Sequence, residues 1–156
     1  MLLDIEKEVT PADSRSHHRY AFKLERPYAG LRIRFEYAPK ILEDRERAAE
    51  LIRRSIERYV EPERREPALE RAEQFQPLRN LITVSIDDSR EHRGACHRQD
   101  PVQELYLSER KASPGLTKGA IPAGTWTVTL SFHAIVTERC TYRLKVWADE
   151  AEGDFQ

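Results

Sequence analysis

GAIPAGTWTVTLSFHAIVTERCTYRLKVWADE, from Gly119 to Glu150, is the stretch that decides the fold. A Pro122-Ala123-Gly124 turn leads into a run in which Trp126, Val128, Leu130, Phe132 and Ala134 alternate with Thr127, Thr129, Ser131 and His133. After Thr137-Glu138-Arg139 a second alternating run extends from Cys140 to Ala148. Alternation with period two buries one face of a strand and solvates the other, the pattern of antiparallel sheets stacked on another layer.

Working outward, the same alternation recurs in Leu3 to Val9, Arg19 to Glu25, Leu31 to Tyr37, Leu81 to Asp87 and Gln103 to Glu109. Turn-forming residues separate the runs, as in Pro11-Ala12-Asp13-Ser14 and Pro27-Tyr28-Ala29-Gly30. Seven or eight such strands predict a mainly β protein, an antiparallel β-sandwich of jelly-roll type, in one domain spanning residues 1–156. Between Ile41 and Tyr59 the period changes: Leu42, Ala49, Ile52, Ile56 and Tyr59 recur at helical steps. Glu43 and Asp44 belong in its first turn, and Pro62 ends it. A second helix is expected from Pro67 to Gln74, so residues 41–77 read as a helical insertion.

Composition narrows the function classes. The chain has 156 residues, 39 % hydrophobic and 34 % charged, with 26 basic against 27 acidic residues. Charges that nearly cancel give no electrostatic reason to expect nucleic acid or an anionic membrane as partner. No apolar run approaches the roughly 18–20 residues of a membrane span. MLLDIEKEVT carries acids where a signal peptide needs a basic start, so a cytoplasmic location is expected, with Cys96 and Cys140 as free thiols.

The ends of the chain resemble the small β-rich accessory domain that precedes the catalytic domain in metallohydrolases of the PHP (polymerase and histidinol phosphatase) superfamily, carbaryl-hydrolase type. The resemblance rests on Tyr20-Ala-Phe-Lys-Leu24, Leu31-Arg-Ile-Arg-Phe-Glu-Tyr-Ala-Pro39, Leu81 to Asp87 with Arg93-Gly94, Ser113-Pro-Gly115, and Gly119 to Trp126. It covers most of the chain outside the insertion and consists of turns and core strands. In that family a His-x-His metal motif opens the catalytic domain. Here the chain ends at Asp149-Glu-Ala-Glu-Gly-Asp-Phe-Gln156 and contains no His-x-His. The resemblance therefore implies the accessory module without its enzyme, and no cofactor is expected.

Candidate sites are few. His92, Cys96 and His97 are the one cluster with zinc-ligand chemistry, completed only if the fold adds His133 or Cys140. The competing reading is a polar loop between two strands. His18 should sit at the edge of the core with a hydrogen-bond partner, and His17 should face solvent. Asp87 and Asp88, beside Ser89, suit calcium or a local turn. Trp147 falls on the polar face with Arg143 and Lys145, offering a stacking platform for a carbohydrate-type ligand. Alternatively the inserted helix, or a second subunit, covers it. Trp126 belongs to the core. Three functions are thus carried forward. The leading one is a non-catalytic module acting by protein or ligand binding, with a protein partner or a second copy engaged through the helical insertion. The others are a carbohydrate-binding module using Trp147 and a small metal-dependent hydrolase.

Overall fold

The computed structural model describes residues 1–151. Ten strands are formed: β1 (Leu3–Val9), β2 (Ser16–Leu24), β3 (Gly30–Ala38), β4 (Ile41–Leu42), β5 (Leu78–Arg79), β6 (Leu81–Asp87), β7 (His92–Cys96), β8 (Val102–Ser108), β9 (Gly124–Ala134) and β10 (Cys140–Asp149). One sheet has the order β1-β10-β3-β8, the other β2-β9-β6-β7, and β4 pairs with β5 in a separate ribbon. All the ladders are antiparallel. With the ribbon left out, the strands counted one to eight in chain order run 1-8-3-6 in one sheet and 2-7-4-5 in the other. This is the connectivity of a jelly roll, two interleaved Greek keys.

The alternating positions fill the space between the sheets. Trp126, Val128, Leu130 and Phe132 of β9 face Phe35, Tyr142, Leu144 and Val146 of the other sheet, all almost fully buried. Burying an aromatic of this size contributes several kcal/mol, and truncating it to alanine typically costs about 3–5 kcal/mol. The large side chains leave the jelly-roll interior as packed core.

β7 forms where a polar loop was the alternative. It lies at a sheet edge, and its register explains why its sequence does not alternate. Asp87 pairs with His92 while Ile86 pairs with Gly94, so Arg93 is the extra residue of a β-bulge. Gly94 has φ +119°, and a Cβ there would lie 2.2 Å from the Gly115 carbonyl oxygen. The bulge aims Arg93 inward, onto the ring of Trp126 at 5.3 Å.

Between β3 and β6 come β4, helix α1 (Arg45–Tyr59), helix α2 (Pro62–Glu70), a 3-10 turn (Ala72–Phe75) and β5. Asp44 caps α1, its carboxylate accepting from the Arg47 amide at 3.0 Å, an arrangement worth about 1 kcal/mol. The buried stripe is Ala48, Ile52 and Ile56. These residues lie four apart, along one line of the helix, whereas Ala49 is a hundred degrees round and exposed. Leu42 belongs to the ribbon rather than to the helix, and Tyr59 is exposed. The second helix starts earlier than Pro67 because Pro62 is accepted at a helix N-terminus, where its missing N–H has no partner to lose. Pro67 then lies inside α2 and leaves the Glu63 carbonyl without its helical donor.

Candidate functional site

Helix α1 packs chiefly on α2 and on the 3-10 turn at Ala72–Phe75. Leu51, Ile56 and Tyr59 of α1 line an open apolar groove of about 440 Å³ together with Phe75, Leu78 and Ile135. The helix stripe and the connection after β9 thus meet at one end of the sandwich. Tyr59 and Phe75 stand at the rim, each 57 % exposed. Two cations flank Tyr59: Arg15 donates to its hydroxyl at 3.1 Å, and the Arg58 guanidinium lies 5.3 Å from its ring centroid. The apolar floor is therefore bordered by positive charge.

The residues with metal-ligand chemistry are dispersed along β7. His92 is exposed and bonded through Nδ1 to Asp87 at 2.8 Å. Cys96 points into the core, its thiol donating to the Pro114 carbonyl, and burial pushes that thiol up. His97 lies outside, 6.5 Å ring to ring from His133, and His133 is bonded to Thr83 at 2.7 Å. Cys140 is buried beside Pro39 and free, like Cys96; burial pushes it to about 11. Among the described residues no group of three or more His, Cys, Asp or Glu side chains is placed to hold a metal ion. Asp88 closes a turn: its Oδ1 accepts from the amides of Arg90 and Glu91, and its Oδ2 from Arg93.

Trp147 lies on the outer face, as its register requires, and its cover comes from a neighbouring strand. Its cross-strand neighbour on β3 is Arg32, whose guanidinium lies 5.2 Å from the indole centroid. Asp149 holds that guanidinium, accepting from Nε at 2.8 Å. Cross-strand pairing on the same face thus supplies locally what the insertion was expected to supply. A sugar stacking on this indole would first displace Arg32. Arg143 is likewise engaged, by Asp4 at 3.1 Å, and Lys145 stands between Asp4 and Arg34 across the strands. This outer face is a ladder of paired charges.

His18 takes the expected edge position. Its Nδ1 is bonded to the Tyr142 hydroxyl at 2.8 Å, and Tyr20 bonds the same hydroxyl. His17 is exposed and bonded to Ser131. Phe75 and Leu51 of the groove went unrecognised as site residues in the sequence. The available signal was a lone phenylalanine within the most charged stretch of the chain.

These observations define the class: a jelly-roll β-sandwich with a helical insertion that opens an apolar groove at one end. No family model matches the sequence, and no curated protein is significantly similar to it. Among solved structures, a crystal structure of a Sulfurospirillum deleyianum protein is similar over 95 % of this chain and 98 % of its own, at 10 % identity and a TM-score of 0.36.

Proposed function

We propose that this chain is a non-catalytic, cytoplasmic β-sandwich module that acts by binding a protein partner through its helical insertion. The apolar groove beside α1 carries the reading. Exposed aromatic side chains around a concave apolar floor are a feature of interaction sites. Arg15 and Arg58 at the rim select the occupant by charge: a short apolar segment flanked by Asp or Glu, docked as a helix or extended strand. The resemblance to the accessory domain of PHP metallohydrolases supports the same reading, since that domain accompanies a catalytic one.

Selection from a random displayed-peptide library tests it. The expected consensus joins two or more large apolar residues to an acidic flank. A synthetic consensus peptide should bind the Tyr59→Ser, Phe75→Ser double variant about tenfold more weakly, or worse. Both residues are exposed, so the variant keeps its fold. Peptides without that consensus, or bound equally by the variant, would overturn the reading. A dimer in sedimentation that disperses with the same substitutions would make the occupant a second copy of this chain instead. Phosphoester turnover lost on His92→Ala or His97→Ala would replace the binding reading with an enzymatic one.

A further inference from the structure

A second depression lies at the β8 edge and shares no lining residue with the groove. Its volume is about 490 Å³, within the range of small-molecule sites. Four cations line it: Arg98 from the connection between β7 and β8, Arg110 and Lys111 from the turn after β8, and Lys118 from the segment leading to β9. Among the described residues one carboxylate accompanies them, Glu104, and it is already bonded to Arg34. Among the described residues no carboxylate is in ion-pair reach of Arg98, Lys111 or Lys118. In a chain whose formal charge is only −1, Arg98, Lys111 and Lys118 thus stand at one place with no carboxylate partner among the described residues.

The backbone from Ser108 to Thr117, which carries Arg110 and Lys111, is held by hydrogen bonds. The Ser108 amide donates to the Lys111 carbonyl at 2.7 Å, and the Lys111 amide to the Ser108 hydroxyl at 3.0 Å. The Ser113 amide donates to Tyr106 at 2.8 Å, the Leu116 amide to Ser113 at 2.9 Å, and the Thr117 amide to Arg93 at 2.8 Å. Like charges held together repel, and a bound anion relieves that repulsion without reorganising the loop. Arginine supplies a planar fork suited to two oxygens of one oxyanion, and lysine supplies a point charge that follows it.

We propose that this pocket is a binding site for a small ligand carrying clustered oxyanions, of the phosphate or pyrophosphate type. Calorimetric titration with inorganic tripolyphosphate, at constant ionic strength near 0.15 M to hold screening fixed, tests it. The expected result is saturable one-to-one binding. The Arg98→Gln, Lys118→Gln double variant should weaken it about tenfold or more. The Arg53→Gln, Arg54→Gln double variant, on the exposed face of α1, should leave it unchanged. Circular dichroism would verify that both doubles keep the native fold. Absence of saturable binding, or equal weakening by both doubles, would overturn the proposal, the latter because it marks general charge attraction. Binding that fails here leaves the groove reading standing, since the two sites share no residue.

Discussion

Arg93 and Asp88 form a buried ion pair, Nη1 to Oδ2 at 3.1 Å, with side chains only 3 % and 5 % exposed. Arg93 also donates to the carbonyls of Thr117 and Ala120 and rests on Trp126, tying the bulge of β7 to the segment entering β9. Removing one partner of a buried pair leaves an uncompensated charge and unsatisfied carbonyls. Arg93→Met should therefore destabilise the protein by about 3 kcal/mol in urea unfolding. In a double-mutant cycle with Asp88→Asn the losses should be less than additive. Strict additivity would show that the two side chains act independently.

The same carboxylate sets an acid limit. Burial alone would raise Asp88, but the amides of Arg90 and Glu91 and the Arg93 guanidinium more than offset it, and the carboxyl titrates below its ordinary value. A depressed carboxylate contributes stability that is present above the unfolded-state value, about 3.9, and is lost as pH falls through the folded-state value. Asp88→Asn should flatten the stability profile below about pH 4 relative to the wild type. An unchanged acid slope in the variant would contradict this.

Gly94 and Gly115 approach backbone to backbone, and the Ala95 amide donates to the Gly115 carbonyl at 3.1 Å. A methyl group at position 94 would strike that carbonyl and would sit at φ +119°. Strain of this kind costs on the order of 1–3 kcal/mol before the clash is added. Gly94→Ala should lower the melting temperature by several degrees, about 2–4 °C per kcal/mol for a chain of this size. A neutral result would mean that the 113–117 segment yields freely.

Why these elements were unequally legible follows from the residues themselves. The runs in β3, β6, β9 and β10 are read at once because each has one apolar face, and that period survives whatever the partner strand is. β7 has no such face: its inward positions are an arginine on a bulge and a cysteine, and only the pairing with β6 makes it a strand. The register that puts Arg32 over Trp147 is likewise a property of two strands more than a hundred residues apart. The groove is assembled from segments distant in sequence, and the basic pocket from residues spread over positions 98–118 that only the folding of β8 and its flanking turns brings together, so each contributing residue reads locally as ordinary surface.

His18 couples the sandwich edge to pH. Burial holds its imidazole below the ordinary histidine value; Lys7 adds to this and Asp13 opposes it. A lowered histidine leaves the unfolded chain binding more protons than the folded one below about pH 6.5. Stability is therefore complete above that pH and declines as pH falls from there toward the folded-state value. His18→Gln should remove this part of the slope while retaining a bond to the Tyr142 hydroxyl. Denaturant titrations at pH 7 and pH 5 in both proteins measure it, and parallel losses would reject the assignment.

Arg32 and Trp147 offer a measurement with its own internal reference. The chain has two tryptophans: Trp126 is fully buried, whereas Trp147 is half-buried beneath a guanidinium that Asp149 holds in place. Acrylamide should therefore quench two populations, one protected and one partly accessible. Arg32→Ala removes the cover, so the accessible component should become more strongly quenched while the protected one is unaffected. The stability change should stay near 0.5–1 kcal/mol, the scale of an exposed cation–π contact. With the indole uncovered, the carbohydrate reading also meets its strictest trial. Saccharide binding that appears in Arg32→Ala and vanishes in Arg32→Ala, Trp147→Ala would make this face a masked sugar platform. Unchanged quenching in Arg32→Ala would instead show that another group shields the ring.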